Sequence, residues 1–305
     1  MRISVIVPVR DDPRVDGLLA SLAVQQGAPD FEVLVAMDGS RREPRVPPGL
    51  PVRLLRLPAR GPYPARNAAV AEAAGDVLLF TDSDCLCPPD WISAADRLFE
   101  SDSVAALQGS SRASDDSRLS RFVQREYERY VATQEALGYR RFCNTRNFAI
   151  RTAIAREVRL PETLPRGGDA VYGRLLEERG VPIRYEAGWW IAHRHPASRR
   201  EEGRRAFSQG DSGARWARLA GLDLFAANGQ ASVPARGPGA FLLRHLPRRR
   251  SLRRAASVSL LPVAAALAAA SGVLPEGPAA RCFSLFRRAC HLAGRLWGES
   301  REQSD

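Results

Sequence analysis

Asp82 and Asp84 stand one residue apart on a polar turn, Thr81-Asp82-Ser83-Asp84, that directly follows an apolar run. Two carboxylates so placed suit Mg²⁺ or Mn²⁺, hard cations that take oxygen ligands and bridge to substrate phosphates. By spacing alone the pair reads equally as a solvated turn. Two more apolar runs end in polar turns, Val9-Arg10-Asp11 and Asp38-Gly39-Ser40. Composition excludes other phosphate chemistries. The 45 basic residues contain no lysine, so neither a Walker phosphate loop nor Schiff-base catalysis is available. The first turn lacks glycine, so its backbone cannot approach a pyrophosphate as a GxGxxG turn does, and a nicotinamide-binding domain is not expected. Cys85, Cys87, Cys143, Cys282 and Cys290 form neither CxxC pairs nor a zinc-holding Cys/His spacing, and five is an odd number for a disulfide framework. A reducing compartment is the expectation. Cys85 and Cys87 beside the acidic turn read as small apolar residues.

These turns need a scaffold that gathers strand ends. A β-branched run at 3–9 and further apolar runs at 31–37, 52–57 and 77–80 predict strands. Helices are predicted where Leu18, Leu19, Leu22 and Ala23 recur, at 65–74 and at 89–99. Alternation at this interval implies parallel pairing through right-handed crossovers. The expected class is α/β, a Rossmann-like, mostly parallel sheet flanked by helices. Ligands of such sheets bind at the carboxyl ends of the strands, where the acidic turns fall. At 305 residues and 45% hydrophobic, the chain suffices for one large or two ordinary domains. Its first eleven residues lack the long apolar stretch and cleavage site of a signal peptide, so a cytoplasmic location is expected.

Ser4-Val5-Ile6-Val7-Pro8-Val9, Asp38-Gly39-Ser40, Ala65-Arg66-Asn67 and Gly75-Asp76, leading through Phe80 to Asp82-Ser83-Asp84, occur in that order. Together they resemble the nucleotide-binding half of family 2 glycosyltransferases with the GT-A fold. Asn144-Thr145-Arg146-Asn147-Phe148-Ala149-Ile150-Arg151 is similar to that family's acceptor-side strand, and Gly168-Asp169 with Gly173-Arg174-Leu175-Leu176 and Gly180 to its acidic helix. The resemblance implies a donor half at 1–110 and an acceptor half at 111–220. It further implies an inverting, divalent-cation-dependent transfer of sugar from a nucleotide-sugar donor to an acceptor hydroxyl, whether lipid-linked, glycan or small molecule. By the same resemblance Pro8, Arg10 and Asp11 border the base, Asp38 bonds the base edge or ribose, and Arg66 lies near the base or diphosphate. Asp82, with Ser83 beside it, touches ribose or metal, and Asp84 is the principal metal ligand. Asn144, Arg146 and Asn147 fall on the acceptor side, and Asp169 is the general base. The family usually carries Glu before that base, whereas this chain has Gly168.

Some members of the family place a histidine in the metal shell after a strand like 185–191. His193, nearer the strand end than His195, fits that place; the alternative is that both histidines cap a strand. Trp189 and Trp190 suit either a sugar face or a packed core. Asp38-Gly39 reads alternatively as a turn without a ligand, and Arg66 as a surface arginine at a helix N-terminus.

Residues 201–305 hold 16 arginines and 8 acids, against 29 and 26 in residues 1–200. Most of the net charge of +11 therefore lies in a basic helical extension, 221–305, beside a nearly neutral remainder. Residues 236–254 contain seven arginines, His245 and no acid, and 255–274 follow without a charge. That length can span a bilayer with the basic flank inside, but eight of the twenty are alanine, and a buried or re-entrant helix is an equal reading. At about 100° per residue, 281–297 separates an apolar face containing Phe283, Phe286, Leu296 and Trp297 from an arginine face. Such a helix suits an anionic membrane surface, or else docks on the catalytic domain. Nucleic acid is not an expected partner, because the excess is confined to the tail and no aromatic-basic strand accompanies it. A sugar-phosphate nucleotidyltransferase would need a glycine-rich first loop with lysine. A catalytically degenerate transferase is the alternative that Gly168 leaves open.

Overall fold

The computed structural model describes residues 1–219 and 250–301. The chain divides into two compact units, Met1–Asp115 with Ala136–Arg194, and Asp116–Glu135 with His195–Asp305.

The first unit contains one sheet, of strands β1 (Ile3–Val9), β2 (Phe31–Asp38), β3 (Val52–Leu57), β4 (Val77–Thr81), β5 (Cys85–Leu86), β6 (Ala106–Ala113), β7 (Asn147–Arg151) and β8 (Ile183–His193). Their order is β3-β2-β1-β4-β7-β6-β8-β5. β1 pairs in parallel with β2 and β4, and β2 with β3. β7 runs antiparallel between β4 and β6, and β6 is parallel to β8. β1 and β4 are buried along their whole length, which is why they read as unbroken apolar runs rather than alternating ones. The chain order reverses at β1 and β4, and in open sheets such a switch point opens a crevice at the strand ends. The expected α/β sheet with mostly parallel strands is what the chain forms.

Helices α1 (Val15–Ala23), α2 (Pro62–Glu72), α3 (Trp91–Phe99), α5 (Thr152–Glu157) and α6 (Gly168–Glu178) belong to this unit; α4 (Arg118–Ala136) lies almost wholly in the other. α2 begins three residues earlier than its alanine run suggests. Gly61, at φ 107°, turns the chain, and Pro62 opens the helix where its missing N–H is harmless. The Gly75-Asp76 motif proves structural. Glu32 on β2 accepts hydrogen bonds from Ser4 Oγ (2.8 Å) and the Ala74 N–H (2.6 Å), while Ser4 Oγ accepts the Gly75 N–H (2.8 Å). A β-carbon on Gly75 would lie 2.6 Å from Ser4 N.

The second unit is helical: α4, α7 (Arg199–Leu219), α8 (Arg250–Val273) and α9 (Glu276–Arg301). Phe122, Val123, Ala206, Ala264, Ala279, Phe283, Phe286 and Cys290 form its core. The apolar face expected on 281–297 is therefore turned inward, with Phe283, Ala293 and Leu296 buried. Arg281 and Arg288 are exposed, and Arg287 pairs with Glu202 and Glu126. The uncharged segment 255–274 falls largely on α8. Ser251–Val273 is long and apolar enough to cross a membrane by length and composition, with a mean hydropathy of 1.8 in its 18-residue window and 17% of that window buried. The part of the basic segment at 236–249, with His245, lies outside the described residues.

Candidate active site

The acidic turn follows β4 at the switch point. Asp84 is its most enclosed acid. His193 Nε2 lies 3.4 Å from Asp84 Oδ2, and Arg14 Nη1 lies 3.6 Å from the same oxygen. The short β5 explains this meeting, because Cys85 registers opposite His193 at the end of β8, and the Arg194 N–H donates to the Asp84 carbonyl at 2.9 Å. Burial alone would raise the pKa of Asp84. The His193 hydrogen bond and the nearby charges of His193, Arg146 and Arg14 outweigh it and hold the carboxyl well below the usual range. Asp82 is ion-paired with Arg66. Ser83 Oγ donates to Asp12 at 2.7 Å, and Asp12 in turn holds Arg14 at 2.9 Å.

Helix α2 connects this turn to the second acidic position. Arg66, buried on α2, reaches Asp82, and its guanidinium lies 5.8 Å from the centre of the Tyr63 ring one turn earlier. Asn67, the third residue of that motif, is a clamp: its Nδ2 donates to Leu160 O (2.8 Å) and Glu162 Oε1 (2.9 Å), and its Oδ1 accepts the Leu160 N–H (3.0 Å). Asn67 thereby fixes the chain leading toward α6, in whose first turn Asp169 stands. Burial pushes the pKa of Asp169 up; Arg66 opposes this and Asp82 adds to it, with a net position above the ordinary aspartate value. The thiol of Cys143 senses the same carboxylate and is also pushed up, chiefly by burial.

The remaining candidates separate into those near this group and those held in the framework. Pro8 is buried in β1, opposite Ala36, and Arg10 just beyond it is exposed. Asp11, at φ 50°, accepts the N–H groups of Arg42 (3.1 Å) and Arg41 (2.7 Å), which with the Ser40 hydroxyl hold its carboxyl below the usual range. Asp38 is buried at the end of β2. It accepts the N–H groups of Arg60 (2.6 Å) and Gly61 (2.9 Å), so its carboxylate shapes the entry to α2. Asn144 Oδ1 accepts the Arg146 N–H at 3.2 Å, and buried Arg146 reaches Ser111 Oγ at 3.4 Å. Asn147 and Trp189, expected on the acceptor side, sit in the core. The Asn147 amide donates to Ser110 O and Trp189 O and accepts the Trp91 indole N–H, and Trp189 stacks on Trp91 at 5.5 Å. Gly109 lies at the β6 bulge that makes room for them, where a β-carbon would collide with Asn147. Trp190 is half-buried, with the Arg112 guanidinium 4.2 Å from its ring centre. His195 belongs to the second unit, its Nε2 3.3 Å from Gln124 Oε1.

Among the described residues no group of three or more His, Cys, Asp or Glu side chains gathers as a metal cluster. The donors present nevertheless fit a hard or borderline cation. Asp84 and His193 converge on one point at the strand ends, and Mg²⁺-type sites commonly use one or two carboxylates, with substrate phosphates and water completing the shell. Asp82 is engaged by Arg66 and is the less available donor. Asp12, Arg14 and Tyr63 were not singled out from the sequence. Position at the end of β1, beside the switch point, is the signal that could have found the first two.

A sequence model described as glycosyl transferase family 2 matches residues 4–159. An N-acetylglucosaminyltransferase of Sinorhizobium fredii is 32% identical over 140 residues, which are 41% of this chain and 33% of that protein. The chain thus spans about a third of the length of that relative. Among solved structures, the mannosyltransferase PcManGT of Pyrobaculum calidifontis, in complex with GDP-Man and Mn²⁺, superimposes with a TM-score of 0.60 at 19% identity, over 97% of this chain and 87% of that one. Residues 1–349 of TarS of S. aureus, in complex with UDP-GlcNAc, give 0.53 at 18% identity over 100% and 93%. At these identities the structural likeness establishes the GT-A type of fold.

Proposed function

The chain belongs to glycosyl transferase family 2, and from that premise we propose that it moves a sugar, with inversion, from a nucleoside-diphosphate donor to an acceptor hydroxyl. The observation that carries this reading is one helix, α2, reaching both the acidic turn and the acidic helix α6 through Arg66 and Tyr63. The solved structures with this fold include complexes with GDP-Man and UDP-GlcNAc, and a donor of that class is the one proposed.

Asp84 and His193 would hold the divalent cation, Mn²⁺ or Mg²⁺, with Asp82 beside them. Such an ion, when bound, neutralises the charge that develops on a departing diphosphate. Arg66 and Arg14, the cations already facing these acids, are in position to turn toward phosphate oxygens. Asp169 takes the proton from the acceptor hydroxyl as that oxygen attacks the anomeric carbon opposite the leaving group. Its raised pKa makes it a stronger base than an exposed aspartate. The donor half is 1–110 and the acceptor half 111–220, where Arg146 and Trp190 are the acceptor-side candidates outside the core group of Asn147, Trp189 and Trp91. Asp169→Asn should abolish transfer and leave donor binding intact; retained turnover would move the base elsewhere.

The reading extends to location. The protein works on the cytoplasmic side, peripheral to an anionic membrane surface, with α8 as the contact in place of the inward-turned face of α9. Val258, Leu261 and Val263 on α8 are about half exposed, at 53%, 46% and 51%, and apolar area of this kind drives interfacial binding. The full chain should sediment with vesicles containing anionic lipid, and Val258→Ser/Leu261→Ser/Val263→Ser should not. Equal sedimentation of both proteins would remove α8 from the account.

A further inference from the structure

Helix α6 starts without a side-chain cap. Gly167, at φ 75°, turns the chain into it, and no side chain of the preceding residue bonds its first N–H groups. Asp169 Oδ1 accepts one of them, the Ala170 N–H, at 3.1 Å, and the Gly168 N–H needs an acceptor from elsewhere. Tyr63 of α2 supplies it: its hydroxyl accepts the Gly168 N–H at 2.8 Å. The residue is 5% exposed, and its ring packs against Gly168. A β-carbon at 168 would come within 2.6 Å of Tyr63 Cε2 and 2.7 Å of Cζ. A buried ring cannot retreat as a flexible chain end does, so a larger residue at 168 would have to displace Tyr63.

The residue so gripped immediately precedes Asp169. Arg66, three residues after Tyr63 and so on the same face of α2, faces Asp169 electrostatically, as do Asp82 from the β4 turn and Cys143 from the segment before β7. One helix therefore fixes the backbone beside the carboxylate with Tyr63 and its field with Arg66. We propose that Tyr63 is the positioning residue for Asp169, its phenol serving as the missing N-terminal acceptor of α6 and its ring requiring the glycine at 168. This rests on Asp169 being the base. It also gives Gly168 a physical reason, since the space a longer side chain would need is filled by Tyr63.

The test uses the full chain with Mn²⁺ and three variants, Tyr63→Phe, Gly168→Ala and Asp169→Asn. Turnover is read as nucleoside diphosphate released from UDP-GlcNAc or GDP-mannose by hydrolysis, water taking the sugar in place of the acceptor hydroxyl; donor affinity is read by calorimetry, and melting temperature alongside. Tyr63→Phe keeps the ring and removes only the acceptor. It should lower kcat by about ten- to a hundredfold, the scale of a displaced catalytic group, with donor KM and melting temperature nearly unchanged. Gly168→Ala should lower kcat further. A Tyr63→Phe enzyme within twofold of the wild type, or one whose kcat, KM and melting temperature fall together, overturns the inference. Should Asp169→Asn turn over like the wild type, the base assignment fails; should Asp169→Asn be dead and Tyr63→Phe normal, only the positioning role fails. Amide exchange gives an answer independent of turnover. The Gly168 N–H should exchange about tenfold faster in Tyr63→Phe, the worth of one hydrogen bond, and unchanged protection contradicts the proposal.

Discussion

The pKa of Asp169 is raised by burial and Asp82 and lowered by Arg66 and the N–H groups of Ala170 and Asp169, with a net rise. As the proposed base, Asp169 acts only when deprotonated, so kcat should fall as pH drops through a value above the ordinary aspartate range. Asp82→Asn, which removes one raising charge, should shift that limb to lower pH, and normalised pH–kcat profiles of the two enzymes check the sign. Stability runs the opposite way. A carboxyl whose folded pKa is raised contributes stability below its unfolded pKa and loses it as pH rises through the folded one. At pH 7 Asp169→Asn should therefore melt above the wild type, and the gap should close near pH 3; a less stable variant at neutral pH would contradict the burial of the charge. At this scale the sequence was legible where residue type and position coincide. Asp82, Asp84 and His193 stand at strand ends, and there Asp84 and His193 lie 3.4 Å apart while Asp82 pairs with Arg66. Tyr63 and Asp12 were not legible, because their contacts join positions 105 and 71 residues apart. Asn147 and Trp189 are of types that suit ligands, but both are buried, with the Asn147 amide bonded to Ser110 O and Trp189 O beside the β6 bulge at Gly109.

Among the elements, α2 organises the first unit. Asn67→Ala would free the 160–162 segment from three hydrogen bonds, at about 1 kcal/mol each. Its expected effect is a lower melting temperature together with a lower kcat, whereas Tyr63→Phe changes kcat alone. In the second unit, α7 and α9 cross at two glycines: a β-carbon on Gly210 would collide with the His291 carbonyl, and one on Gly294 with that of Phe207. Backbones that close leave no room to repack, so Gly294→Ala should destabilise the unit by about 1–3 kcal/mol or more. Thermal denaturation followed by circular dichroism checks this, and an unchanged midpoint would refute the crossing. The parallel half of the sheet, β1 to β4, was readable because each buried strand is a compact apolar run bounded by turns. β6 was not. Its sequence, ALQGSSRA, turns polar after two residues, and its place depends on β7 and β8, far away in the chain.

On the scale of the whole molecule, the arginine-only surplus belongs mostly to residues beyond 200, while the candidate chemistry rests on a few acids in the nearly neutral first unit. The face of α9 that looked suited to lipid instead forms the core of the second unit, because α4, α7 and α8 close over it. Periodicity shows that such a helix has an apolar side but not what covers it. The claim on which the account turns is a cation-dependent nucleotide-sugar site at the ends of β4 and β8. Thermal unfolding of the full chain with UDP-GlcNAc or GDP-mannose, with and without Mn²⁺, tests it against Asp84→Ala. A donor at a hundred times its Kd adds about 2.7 kcal/mol to stability, so at least one donor should raise the melting temperature in the presence of Mn²⁺, and the gain should vanish in Asp84→Ala. No stabilisation by either donor, or the same stabilisation in the variant, would contradict it.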